Sequence, residues 1–184
     1  MTLPTLVRRA VGAALIAAAI SFSAHPVAAQ KTHAASGDRD MQALANYHLT
    51  EANVRKYYAA MTNIMKAAMK DTSSLAGLED DGNGGNEDLA AMAAKYDRVP
   101  AAKAALSAAG FTSLEFATFT MSYMQAAMAY SLMTQGPENM RIKELPKGTP
   151  KENVEFVRTH QELIQQLDKQ LKALQASAGG GASA

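Results

Sequence analysis

The sequence predicts an all-α domain, a four-helix-type bundle with one leg split into two short helices, placed behind an N-terminal export signal. Three observations carry that expectation. Apolar residues recur at three- and four-residue spacing in two long segments, and a third, from Phe116 to Pro137, carries no charge at all. Capping signals stand in front of the long segments: Thr50, Thr112 with Glu115, and Thr149-Pro150 with Glu152. Sustained period-two alternation is missing, tryptophan is absent and alanine and methionine are abundant, so strands are not expected.

Residues 1–29 have the layout of a cleavable signal peptide. Arg8 and Arg9 form a short positive region, and Ala10 to Phe22 is uncharged and mostly apolar. His25-Pro26 breaks the helix, and Val27-Ala28-Ala29 supplies small residues before a cut between Ala29 and Gln30. The apolar run is too short for a bilayer, which needs about 20 residues of helix. Ala10 after the arginine pair favours the Sec route over twin-arginine export, and without cysteine there is no lipid-attachment residue. The expected address is periplasmic or extracellular.

Removing the signal leaves 155 of the 184 residues, enough for one domain with a real core. The net charge moves from +1 to −1 because Arg8 and Arg9 leave. A near-neutral chain without a basic stripe has no electrostatic basis for binding nucleic acid. Zero cysteines exclude a disulfide framework, attached c-type haem, iron–sulfur clusters and thiolate zinc sites.

Residues 30–48 read as a loose polar segment, with one or two helical turns near Met41. The bundle domain is expected over 49–175. Its first long helix starts after Thr50, with Leu49 and Val54 as a hydrophobic staple. Val54, Tyr57, Tyr58, Met61, Ile64, Met65, Ala68 and Met69 form its inward stripe. Glu79 to Asn86 is acidic and glycine-rich and reads as a loop. A helix resumes near Glu87 with Leu89, Met92, Ala93 and Tyr96 inward. Pro100 opens the next short helix and Gly110 closes it. Phe111 and Phe116 staple the Thr112 cap of the uncharged helix, which is expected to be buried at the centre of the bundle. Thr118, Ser122 and Gln125 make it too polar for a lone membrane span, so no stable span is expected after cleavage.

The last helix, capped by Thr149 with proline at its first position, carries a seam of Val157, Ile164 and Leu171 beside His160, Leu167 and Leu174. That seam closes the bundle or pairs with another chain. Asp168 and Lys172 stand at i, i+4 for an ion pair. Residues 176–184 read as a flexible tail. Two capped helices, with Ala109-Gly110-Phe111-Thr112-Ser113-Leu114-Glu115-Phe116 before the central one, resemble uncharacterised small secreted helical proteins of bacteria. The resemblance covers about the last two thirds of the chain; it implies no activity and no site residue.

Four constellations invite chemistry. An EF-hand reading of the acidic segment puts Glu79 at position 1 but Ala90 at position 12, where a bidentate glutamate is required, so it fails. Met61, Met65 and Met69 on one helix, and Met121, Met124 and Met128 on another, supply thioethers suited to Cu(I); core filling competes with that reading. His160 opposite Met61 or Met65 is a candidate haem pair, against a hydrogen-bonded boundary histidine. Catalytic motifs are missing: His160-Gln161-Glu162 is not a zinc-protease motif, no Gly-x-Ser-x-Gly elbow occurs, and Glu115 and Glu152 read as caps. The expectation is a non-enzymatic, cofactor-free binding or accessory protein of the cell envelope. Its partner is an envelope protein, or a second copy through the Val157–Leu174 helix. The alternative is a bundle holding a small apolar ligand, copper or haem between methionine- and tyrosine-rich helices.

Overall fold

The computed structural model describes residues 30–78, 87–134 and 144–179. The expected signal peptide with Ala29, the acidic segment 79–86, residues 135–143 and residues 180–184 of the expected tail lie outside the described residues, while residues 176–179 of that tail continue the last helix. The fold is all-α. Its helices are α1 (Gln30–Ala45), α2 (Glu51–Lys70), α3 (Leu89–Arg98), α4 (Pro100–Ala108), α5 (Ser113–Thr134), α6 (Lys151–Thr159) and α7 (Gln161–Gly179), with a 3₁₀ turn at Thr72–Leu75. No helix of the described residues is long and apolar enough to cross a membrane.

The local signals around α2, α4 and α5 act as their chemistry dictates. Thr50 Oγ1 accepts from the Asn53 N–H at 3.2 Å, and Asn53 Oδ1 accepts from the Thr50 N–H at 2.8 Å, a reciprocal box with Leu49 and Val54 buried beside it. Thr112 Oγ1 accepts from the Glu115 N–H at 3.1 Å, and the Phe111 and Phe116 rings meet edge-on at 5.7 Å. Helix α4 opens on Pro100 and ends in a Schellman motif. The Phe111 N–H reaches Leu106 O and the Gly110 N–H reaches Ser107 O, each at 3.0 Å, with Gly110 at φ +81°. A side chain at Gly110 would be strained in that conformation.

Elsewhere the chain departs from expectation. Residues 30–40, expected to be loose, are helical and join the expected turns near Met41 in α1. Leu44 on α1 packs with Leu89 and Ala117, and Asp40 Oδ2 accepts the Leu89 N–H at 2.9 Å, so tertiary contacts on α3 and α5 support a segment whose own pattern is weak. The Thr149 capping box does not form: α6 begins at Lys151 with Pro150 at the cap, no side chain caps it, and Thr149 Oγ1 is buried without a partner. The expected single last helix is broken at His160, between α6 and α7. There the Gln161 side-chain amide donates to Val157 O at 2.7 Å, and Thr159 Oγ1 donates to Glu155 O at 2.9 Å, so side chains intrude on the helical ladder.

The core lies between α2, α5 and the C-terminal helices. Helix α2 packs on α4 and α7, and α5 packs on α3 and α6. Phe119, fully enclosed, is its centre: Tyr57 and Tyr123 stack on it at 4.9 and 5.8 Å, and Tyr47 meets its edge at 6.3 Å. Offset and edge contacts of this kind add about 0.5–1.5 kcal/mol per pair beyond area burial. The seam turns inward at Val157 and Ile164, both buried.

Candidate functional site

Three places in the fold bring functional side chains together. The first is the hydroxyl cluster beside the aromatic core. Tyr58 donates to Asp168 Oδ1 at 2.6 Å, so Asp168, expected to pair with Lys172, instead anchors α7 to α2. Burial pushes the Tyr58 hydroxyl far above its ordinary range, and the bond to Asp168 adds to the shift. Burial, with Tyr96, Tyr123 and Asp168 nearby, pushes Tyr57 up to about 12. Burial also pushes Tyr47 up to about 12, with the Glu115 carboxylate contributing. Tyr58 thus donates from α2 to α7, while the Tyr47 hydroxyl accepts from Asn53 Nδ2 at 3.4 Å.

Next to Tyr58 a groove of about 340 Å³ opens between α2 and α7, lined by Arg55, Thr62, Asn63, Leu167 and Leu171 among others. Two of its polar groups are engaged elsewhere. Arg55 is paired with Glu51 at 2.7 Å, and Asn63 Nδ2 donates to Ala105 O at 3.2 Å. The groove is open to solvent.

The second place is around His160. Its ring stacks on Phe156 with centroids 3.9 Å apart, and Nδ1 lies 3.0 Å from both Phe156 O and Thr159 Oγ1. Its partners thus lie on its own helix. Met61 packs against the main core and Met65 is partly buried, while Met69 is exposed, so the α2 row does not stay on one buried face. Among the described residues no group of three or more His, Cys, Asp or Glu side chains is placed to hold a metal ion.

The third is the outer face of α5, where expectation and structure differ most. The helix is expected to be buried all round, yet Met124 is 47% and Met128 57% exposed. Met121, one turn earlier, is partly buried against Leu44, Leu89 and Ala117. On the inward side Ala126 and Ala129 are fully enclosed. The thioethers of Met124 and Met128 are thus accessible from solvent on a helix whose only charge, Glu115, stands in the first turn.

Sequence reasoning also missed Asn153. Fully buried, it accepts the Leu49 N–H at 2.8 Å and donates to Tyr47 O at 2.8 Å, closing the turn between α1 and α2 from α6. The available signal was its place one turn before Val157, a polar residue on an apolar seam. Its role is structural.

The chain matches no protein-family model, and no curated protein or solved structure matches it significantly.

Proposed function

We propose that this chain is an exported, non-enzymatic helical binding protein of the bacterial cell envelope that works through the outer face of α5. The exposure of Met124 and Met128 on a nearly uncharged helix carries the reading. Neighbouring large apolar side chains on adjacent exposed turns suggest an interaction surface. Methionine suits such a surface because its flexible thioether adapts to varied partners. The interior supports the same view, because its rings pack against one another and the Tyr58 hydroxyl is taken up by Asp168.

Export is proposed from Arg8-Arg9, the apolar run after them and Val27-Ala28-Ala29. The proposed bundle has four legs: α2, α3 continued by α4, α5, and α6 continued by α7. The resemblance to small secreted bacterial proteins points the same way. An envelope protein is the preferred partner over self-association through Val157–Leu174, because Val157 and Ile164 are buried in the chain's own core.

The test is photo-crosslinking in cells from position 131, an exposed serine on the α5 face, and from the exposed Glu162 on α7. The expected result is one discrete adduct from position 131, lost when Met124 and Met128 become lysine, and none from position 162. No adduct from position 131 overturns the surface reading. An intact-mass measurement that still includes residues 1–29 overturns export.

A further inference from the structure

Helix α1 is held to the bundle by two side chains. Over residues 37–45 Leu44 alone is buried, while Met41, Gln42, Ala43 and Ala45 are exposed. Leu44 enters an apolar seat made by Leu89 of α3 and Ala117 of α5, with Met92 and Met121 packed around it, and this cluster is separate from the main core. One turn earlier Asp40 Oδ2 accepts the Leu89 N–H at 2.9 Å. That amide opens the first turn of α3, where the helix dipole favours a carboxylate. Behind α1 the chain is pinned, because Asn153 accepts the Leu49 N–H and donates to Tyr47 O. The helix therefore has a fixed root and two anchors.

By itself α1 is weak. Sixteen residues are marginal for an isolated helix in water, and Gly37 lowers the propensity further. Its first turn has no acid and its last turn no base to complement the dipole. The seat belongs to better-supported elements, α3 capped by Asp88 and α5 capped by Thr112. It also adjoins the exposed face, since Met121 stands one turn before Met124. What the seat recognises is read from what α1 puts into it: a carboxylate on the Leu89 amide and, four residues on, a leucine against Leu89 and Ala117. Residues four apart share one face of a helix, so an amphipathic helix presents both anchors. The flexible thioethers of Met92 and Met121 adapt to what enters. We infer that this seat is a docking site for a partner's amphipathic helix carrying Asp or Glu and, four residues later, Leu, which enters in exchange for α1. For the existence of a partner the inference rests on the proposed working face, which the seat adjoins; it names the element that partner brings.

The probe is a fluorescently labelled peptide of residues 30–47, titrated with the purified full chain and read by anisotropy. Leu44→Ala in the protein loosens the resident α1, so the peptide is expected to bind that variant at least tenfold more tightly than the unaltered protein. Asp40→Ala removes one hydrogen bond and keeps the apolar anchor, and is expected to raise the affinity at least threefold. A peptide with alanine at both positions 40 and 44 is expected not to bind. No binding to either variant, equal affinity for the unaltered protein and both variants, or equally tight binding by the alanine peptide overturns the inference. Crosslinking from position 131 in the unaltered protein reports on the surface reading separately. A retained adduct with no peptide binding leaves the outer face of α5 standing and removes the docking site. Peptide binding as expected, without that adduct, keeps the docking site and overturns the exposed-face reading alone.

Discussion

The two halves of α5 are made of the same kinds of residue and live in different surroundings. In the first half Phe116, Ala117, Phe119 and Ser122 are almost wholly enclosed, with Leu44 of α1 and Leu89 of α3 packed over Ala117. In the second half Ala126 and Ala129 face inward, while Met124 and Met128 emerge into solvent, as Leu114 does at the start of the first half. Helix α3 has 10 residues and α5 has 22, which is about 15 Å of cover along about 33 Å of helix. The composition of α5 says only that it is willing to be buried. The helices packed around it decide which of its faces is.

The largest test of the contrast is a pair of truncations. Phe119→Ala removes the ring on which Tyr57 and Tyr123 stack, and is expected to cost about 3–5 kcal/mol in chemical denaturation. Met128→Ala on the exposed half is expected to stay within about 0.5 kcal/mol. Similar costs at the two sites would break the comparison.

Next in size is Asn153→Ala. It leaves the buried Leu49 N–H and the Tyr47 carbonyl without their side-chain partner, an expected loss of about 2–3 kcal/mol. The turn it closes joins α1, which covers the first half of α5, to α2. Faster amide exchange at Leu49 and in α1 than in the second half of α5 is therefore expected in this variant. A uniform increase would argue that the two halves are not separately supported.

What was legible in the sequence was local. The Thr50 cap, the Phe111–Phe116 staple, Pro100 and the helix end at Gly110 each act within six residues, where the chain's own geometry brings the partners together. The Thr149 box failed because Pro150 took the cap and Thr149 turned inward. The clamp from Asn153 joins groups 104 residues apart, and Asp168 reaches Tyr58 across 110, so no spacing rule finds either. Helix α1 was unreadable for the same reason: its support is Leu89 and Ala117, not its own periodicity. The exposure of the α5 methionines was hidden by an otherwise sound rule, that an apolar stripe is usually a core stripe. It fails on the face where Leu114, Met124 and Met128 all reach solvent.

Alkaline titration offers a smaller, graded test. Tyr47 and Tyr57 lie against the enclosed half, touching Phe119, and both have hydroxyls pushed up to about 12; Tyr96 and Tyr123 are also raised by burial. A raised folded pKa means the folded state holds the proton more tightly. The stabilisation is complete below the ordinary value of 10 and is lost as pH climbs from 10 to about 12. Each such tyrosine contributes a slope of at most about 1.4 kcal/mol per pH unit. Tyrosinate absorbance from these residues is expected to rise together with loss of helical signal above pH 10. Ionisation at the ordinary value, with the helices intact, would show that the rings are not enclosed as described.

The smallest expected effect is the most discriminating. Met128→Lys places a charge on the exposed half, where the side chain is already more than half in solvent. Stability is expected to change by no more than about 0.5 kcal/mol, because nothing enclosed is removed and the ammonium stays in water. On the enclosed half the same residue at Phe119 would have to bury an unpaired charge or unfold its surroundings. A lysine tolerated at 128, with the crosslink from position 131 lost, separates a surface kept apolar for binding from one kept apolar for folding. A cost of about 2 kcal/mol or more at 128 would mean that the second half of α5 is covered in solution. The contrast between the halves would then vanish, and with it the argument for a working face.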